Sequence, residues 1–377
     1  MNSLLRFSLV VLATAALLPP VLRAGPSAAA HPRMEVVFVL DTTGSMASMI
    51  EGAKRKIWSV ASKLKSAQPT PEIRFGLVAY RDRGDAYVTQ VFPLSADLDA
   101  VYATLMSFKA DGGGDTPEAV NQALERALNG MAWTDDPGVL QAIFLVGDAP
   151  PHMDYPDDVP WSELARRARQ RGILINGIQC GGDVATADVW QEVARLSGGA
   201  TSRIMATNRT AAIDTRFDAD IVGVNRALNA TIIPYGSAAE QAGADRSRAL
   251  VESMTAEGVA DRAAFLHRGE FGSVTTGGGD LVTEILAGRV TLESVDTRLL
   301  DPALAAKPVA ERQAEIARQV ERRRALLAGL TGLLERREAA VAERMAGAKS
   351  DEETITLSPF MVVEEQARAR GYQFEAK

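Results

Sequence analysis

Between residues 34 and 205 the chain alternates short, unbroken apolar runs with longer amphipathic stretches, a pattern that few folds accommodate. Glu35 to Leu40 is such a run, as is Ile143 to Val146. Each is too uniformly apolar for a strand with one wet face and fits a strand covered on both faces of a parallel sheet. Met49, Ile50, Ala53, Ile57, Val60 and Leu64 recur at spacings of three and four, which predicts a helix from Ser45 to about Ser66. Strands are expected at Ile73 to Tyr80, Tyr87 to Phe92 and Ile173 to Ile178, with a last short one after Gly198-Gly199. The charged segment Arg81 to Asp85 reads as the turn of a hairpin. Helices are expected at Asp97 to Phe108, from Pro117 onward, at Trp161 to Arg171 and at Ala187 to Ser197. Strands and helices alternating at these lengths require right-handed crossovers, and so a doubly wound, mostly parallel α/β sheet flanked by helices. In such sheets ligands bind outside the carboxyl ends of the strands.

Two acids stand at those ends. Asp41 follows the first apolar run and Asp148 follows the fourth strand after Gly147. If the two strands are neighbours, their carboxylates converge on one crevice. Asp41-Thr42-Thr43-Gly44-Ser45 adds two hydroxyls at alternate positions of a tight loop, and Thr116 at the end of the glycine-rich Asp111 to Thr116 segment can bring a third. Every candidate ligand is a hard oxygen, a set suited to Mg²⁺, Mn²⁺ or Ca²⁺. The competing expectation is that Ser45 only caps a helix and Asp41 only binds backbone amides. One cysteine, Cys180, and three histidines, His31, His152 and His267, are too few for a zinc finger or an iron–sulfur cluster and allow no intramolecular disulfide.

Asp41-Thr-Thr-Gly-Ser45, Gly112-Gly-Gly-Asp-Thr116-Pro-Glu and Leu145-Val-Gly-Asp148 occur in that order, and together they resemble the metal-ion-dependent adhesion site of von Willebrand factor type A domains. The resemblance covers residues 34–205. It implies that Asp41, Thr43, Ser45, Thr116 and Asp148 surround a Mg²⁺ ion, with Asp115 as the alternative to Thr116. It also implies a non-enzymatic protein that captures an Asp or Glu of a partner. A hydrolase using a metal-bound water, and a scaffold with a purely structural ion, are the alternatives. Asp148-Ala-Pro-Pro-His152 departs from the family pattern and puts His152 either beside the ligand position or on the rim without a ligand role.

Arg6, an apolar run from Phe7 to Leu18 and the small residues Ala24 to Ala30 have the layout of a secretory signal peptide over residues 1–30. An exported, periplasmic or extracellular protein with no membrane span after processing is therefore expected. The first thirty residues hold two arginines and no acids, so their removal takes the formal charge from −7 to −9, with 39 basic residues against 48 acids. That balance offers nothing to nucleic acid.

Arg83-Gly84-Asp85 is explained by the turn rather than by adhesion, and Gly277-Gly-Gly-Asp280 is expected to be a loop. Asn208-Arg-Thr210 and Asn229-Ala-Thr231 fit the glycosylation sequon. Residues 206–308 form a mixed, mainly helical extension, with a helical stripe from Arg216 to Thr231 and helix over 238–266. Residues 309–346 form one long amphipathic helix whose seam includes Val309, Ile316, Val320, Leu327, Leu330 and Leu334. That seam packs on neighbouring helices or, alternatively, pairs with another chain. Residues 347–377 are a tail with an apolar run around Phe360, able to dock or to be bound.

Overall fold

The computed structural model describes residues 32–204, 215–267, 272–347 and 359–374. The expected signal segment and the sequon at Asn208 lie outside them.

Six strands form one sheet in the order β3-β2-β1-β4-β5-β6. They are β1 (Arg33–Asp41), β2 (Glu72–Tyr80), β3 (Thr89–Ser95), β4 (Leu140–Gly147), β5 (Leu174–Cys180) and β6 (Thr201–Ile204). All pairings are parallel except β2 with β3, the predicted hairpin. Alternate residues of β1 face opposite layers, as strand geometry requires. Val36, Phe38 and Leu40 pack into one cluster with Phe75, Leu77, Phe144 and Val146, while Val37 and Val39 pack into the other with Val78, Ile143 and Leu145. The first layer is covered by α1 (Ile50–Lys65) and α2 (Leu98–Ser107), the second by α3 (Val120–Asn129), α4 (Trp161–Gln170) and α5 (Val184–Ser197). The strand order reverses between β1 and β4. That switch point is where an open α/β sheet leaves a crevice, and Asp41 and Asp148 stand at it.

Two helix starts differ from expectation. Ser45 lies in a 3-10 turn, Gly44–Ser48, and α1 begins only at Ile50. Pro117 does not open a helix either, because Glu118 is held as a bridge to the neighbouring loop. Glu118 N donates to Pro150 O at 3.0 Å and His152 N donates to Glu118 O at 2.9 Å, so α3 starts at Val120.

The second half is helical: α6 (Asp218–Asn229), α7 (Ala238–Ser253), α8 (Ala256–His267), the short α9 (Leu281–Leu286) and α10 (Pro302–Ala305), and the long α11 (Val309–Gly347). Leu327, Leu330 and Leu333 of α11 bury against Phe217, Ile221 and Leu228 around α6 and Ala260 and Ala263 of α8. Further along, Ile316 and Val320 meet Leu281, Val282, Leu300 and Leu304. The seam is thus covered from within the chain. Val309, expected to start it, is exposed.

A buried ion pair ties the helical half to the sheet domain. Arg262 of α8 reaches Asp99 of α2 through Nε at 2.6 Å and Nη2 at 2.7 Å, and Ser247 of α7 adds a hydrogen bond to Asp99. The tail also returns. After residue 358, α12 (Pro359–Arg368) lies on α1, and Val363, Ala367, Tyr372 and Phe374 join the first core layer. Among the described residues no helix is long and apolar enough to cross a membrane.

Candidate metal centre

Asp41 is the last residue of β1 and is fully buried. Its Oδ1 accepts hydrogen bonds from Thr43 N at 2.9 Å and Thr43 Oγ1 at 2.7 Å. Thr43 Oγ1 lies 3.1 Å from Ser45 Oγ, which donates to Asp148 Oδ1 at 2.9 Å. Asp41, Thr43, Ser45 and Asp148 are therefore joined in one chain of oxygens at the ends of adjacent strands. Ser45 makes no helix cap. Asp41 Oδ2 is buried with no hydrogen-bond partner. An orphaned carboxylate oxygen carries the full cost of its lost hydration, and it suits a cation that the other three oxygens also approach.

The loop geometry depends on close backbone approach. Gly44 N donates to Gly112 O at 2.9 Å, and a Cβ on Gly44 would stand 2.8 Å from that same oxygen. A side chain there would push the Gly112–Thr116 loop off the site.

Around the four oxygens the field is acidic. Burial, followed by the charge of Asp148, pushes Asp41 up to about 7. Glu118, 2% exposed, is pushed up to about 8 by burial and by the charges of Asp41 and Asp82. Burial also raises Asp148. In an acid whose folded pKa is raised, the protonated form is favoured by folding. The associated stability is complete at pH below about 4, where the unfolded carboxyls titrate, and is lost as pH rises through about 7 to 8. In chelator, the urea midpoint is therefore expected to fall between pH 5 and pH 8, by an amount on the order of a few kcal/mol. A midpoint that rises over that interval would contradict the burial of unpaired acids.

Glu118 belongs to the Gly-Gly-Gly-Asp-Thr-Pro-Glu segment, yet nothing in the sequence marks it as buried against Thr43 and Asp41. Tyr80 is equally unmarked. Its ring is fully buried, its hydroxyl has no hydrogen-bond partner, and burial followed by the charge of Asp41 holds that hydroxyl well above its usual range. Both orphaned oxygens border Gly147: a Cβ added there would meet Tyr80 Oη at 2.3 Å and Asp41 Oδ2 at 3.1 Å. Since the tyrosine ring is locked in the core, Gly147→Ala is expected to displace Asp41 and weaken cation binding at least tenfold. Titration of the folded variant with Mg²⁺ checks this, and wild-type affinity would refute the packing argument.

The two remaining predicted ligands lie on the loop that Gly44 N holds through Gly112 O. Thr116 and Asp115 are exposed on their loop, and among the described residues no hydrogen bond joins either to Asp41, Thr43, Ser45 or Asp148. The Asp115 carboxylate instead gathers with Asp82 and His152, their ligand atoms all within 4.8 Å of one another. His152 is not a bare rim residue: it is 5% exposed, with Nδ1 2.7 Å from Asp154 Oδ1. Arg83-Gly84-Asp85 is the turn that its composition suggests and is used internally. Arg83 binds Asp157 and Asp158 at 2.9 and 2.7 Å, and Asp85 accepts from Gly113 N at 2.9 Å. Cys180 is buried, and burial pushes its thiol up. The second sequon is closed to modification in this fold, with Asn229 and Thr231 both buried.

Residues 35–205 match the family model described as the von Willebrand factor A domain. Among curated proteins the chain is similar to von Willebrand factor A domain-containing protein 7 of Rattus norvegicus, 37% identical over 97 residues, covering 26% of this chain and 10% of that protein. It is also similar to alpha-protein kinase vwkA of Dictyostelium discoideum, 28% identical over 120 residues, covering 32% of this chain and 19% of the kinase. The chain thus spans only 10 to 19% of the length of these relatives. Among solved structures, proximal thread matrix protein 1 from the mussel byssus, with a zinc-occupied adhesion-site motif, is 14% identical with a TM-score of 0.39, covering 48% of this chain and 43% of that one.

Proposed function

We propose, on the premise that residues 35–205 are a von Willebrand factor A domain, that the chain is an exported, non-enzymatic interaction protein with a hard divalent cation, Mg²⁺ foremost, at Asp41, Thr43, Ser45 and Asp148. The single observation that carries the reading is the buried, unpartnered Asp41 Oδ2 at the end of the hydroxyl-bridged chain to Asp148. Thr116, on the loop that Gly44 holds through Gly112 O, would add a further hydroxyl. A divalent ion held there would supply a Lewis-acidic centre able to accept a carboxylate of a partner protein. Two acids are too few for a closed cage, which is why the partner's Asp or Glu completes it. Asp41, raised to about 7 by burial, would have to be ionised to hold the ion, so affinity is expected to rise with pH. A bound divalent ion would offset the charges of Asp41 and Asp148 where the partner's carboxylate approaches.

The direct test is a panel of peptides that contain Asp or Glu, each paired with its Asn or Gln counterpart, captured on the immobilised chain in Mg²⁺ and in chelator. Retention of acidic members in Mg²⁺ alone is expected. Equal retention in chelator, or of the amide counterparts, would overturn the reading. Export is checked separately by sequencing the amino terminus of the protein from the producing cell, which is expected to begin after Ala24 or Ala30.

A further inference from the structure

We infer that Asp82, Asp115 and His152 form a second cation site, distinct from the Asp41 centre and selective for a borderline divalent ion of the Zn²⁺ type. It stands on observations independent of the reading above.

Asp82 belongs to the turn after β2 and His152 to the loop after β4, and both are 5% exposed. The His152 backbone is fixed from two sides: its N–H donates to Glu118 O at 2.9 Å, and its carbonyl accepts from Asn121 Nδ2 at 2.6 Å. The imidazole is stacked on Tyr155 with ring centres 4.2 Å apart. At Nδ1 it meets Asp154 Oδ1 at 2.7 Å. A carboxylate in that position accepts a hydrogen bond from Nδ1–H and leaves the Nε2 lone pair free, the arrangement found behind metal-binding histidines. Nε2 itself is buried and has no hydrogen-bond partner. It lies 3.3 Å from Asp82 Oδ2, without the alignment of a hydrogen bond. That separation equals the edge of a tetrahedron with bonds of roughly 2.0–2.1 Å, the lengths of Zn–N and Zn–O bonds. Asp82 is steadied by the Tyr155 hydroxyl, 3.1 Å from each of its oxygens. The third ligand, Asp115, is exposed and sits on the glycine-rich loop, so the small movement needed to close the site falls on it.

One nitrogen and two carboxylates distinguish this set from the all-oxygen Asp41 centre. An imidazole donor favours Zn²⁺ over Mg²⁺, which prefers oxygen and keeps its water. A fourth position is left for water. Binding here ties Asp115 to the β2 turn and to the β4 loop, and therefore orders the segment that carries Thr116 beside the Asp41 centre.

The test uses the metal-free full chain with the Asp41 centre silenced by Asp41→Asn. Equilibrium dialysis against Zn²⁺ is expected to give one ion per chain, not displaced by excess Mg²⁺. Adding His152→Gln or Asp82→Asn should reduce this to none, and adding Asp154→Asn should weaken it about 10- to 100-fold. The chain has three histidines, so nitrogen resonances of the unmutated His152 are resolvable. Saturating Zn²⁺ is expected to shift its Nε2 rather than its Nδ1, a readout that needs no variant at the site. Absence of Zn²⁺ binding, binding indifferent to His152→Gln, or an unshifted Nε2 would overturn the proposal and leave His152 as an imidazole held between Asp82 and Asp154. Loss of Mg²⁺ binding to wild-type protein would instead count against the Asp41 centre alone.

Discussion

Arg262→Met is expected to lower the free energy of unfolding by about 3–5 kcal/mol, read as a fall in the urea midpoint at neutral pH. Asp99 is buried where desolvation alone would raise its pKa; the charge of Arg262 and hydrogen bonds from Arg262, Ser247 and Thr276 overcome that and hold it below the usual range. Removing the arginine leaves a buried carboxylate without its guanidinium partner. The pair also joins α2 to α8, so the loss loosens the contact between the sheet domain and the helical half. Replacing both partners, Asp99→Leu with Arg262→Met, should recover much of the stability, because a buried ion pair and an apolar pair of similar volume often come out close. A single variant as stable as wild type would mean that water reaches Asp99 and that the two halves are not coupled through it. Since the pKa of Asp99 is depressed, the contribution of the pair is present above about pH 4 and lost below it, opposite in sign to that of Asp41.

Asp41→Asn is expected to move stability in two directions at once. In chelator at pH 8 the variant should be more stable than wild type by an amount on the order of a few kcal/mol, since a buried charge with an orphaned oxygen has been removed. The amide keeps an acceptor for Thr43 N and the Thr43 hydroxyl. With Mg²⁺ at a hundred times its dissociation constant, wild type should gain about 2.7 kcal/mol and the variant nothing. Thermal or urea unfolding with and without the ion reads both effects. A variant that is less stable in chelator would show that Asp41 serves the fold rather than a ligand.

The sheet and the first half of this site were legible because their signals are local. A strand buried on both faces is mostly apolar, so the acid that ends it stands out; this marked Asp41 and Asp148 and, with β1 beside β4, brought them together. The long helix was legible for a similar reason, though its gap was not. Between Val320 and Leu327 the apolar seam skips a turn because Arg323 occupies the core-facing position, fully buried, with Nε on Thr231 Oγ1 at 2.7 Å and Nη1 on Asp280. The same contact explains the Gly-Gly-Gly-Asp280 repeat, whose acid caps α9 and neutralises Arg323. It is a structural device and not a second copy of the Gly112–Thr116 loop.

What the sequence did not disclose depends on contacts far apart in the chain. Nothing local distinguishes Glu118 or Asp82 from surface acids; they are buried because the β2 turn, the Glu118 bridge and the β4 loop close over one another. Asp115 and Thr116 were offered as alternatives for one ligand position. Asp115 lies with Asp82 and His152, and Thr116 is exposed on the same loop. The tail had apolar residues without an evident partner. Its partner is α1 of the first domain, reached only after the chain has passed through the helical half.

Whether the Asp41 loop binds a hard cation is decided by calorimetric titration of Mg²⁺ into the chelator-stripped chain. Run at pH 7.5 in two buffers of different ionisation enthalpy, wild type is expected to bind one Mg²⁺ with release of protons from the raised acids, and Asp41→Asn to bind none. A wild-type trace with dilution heat alone, or the same binding in Asp41→Asn, would contradict a cation site at that loop.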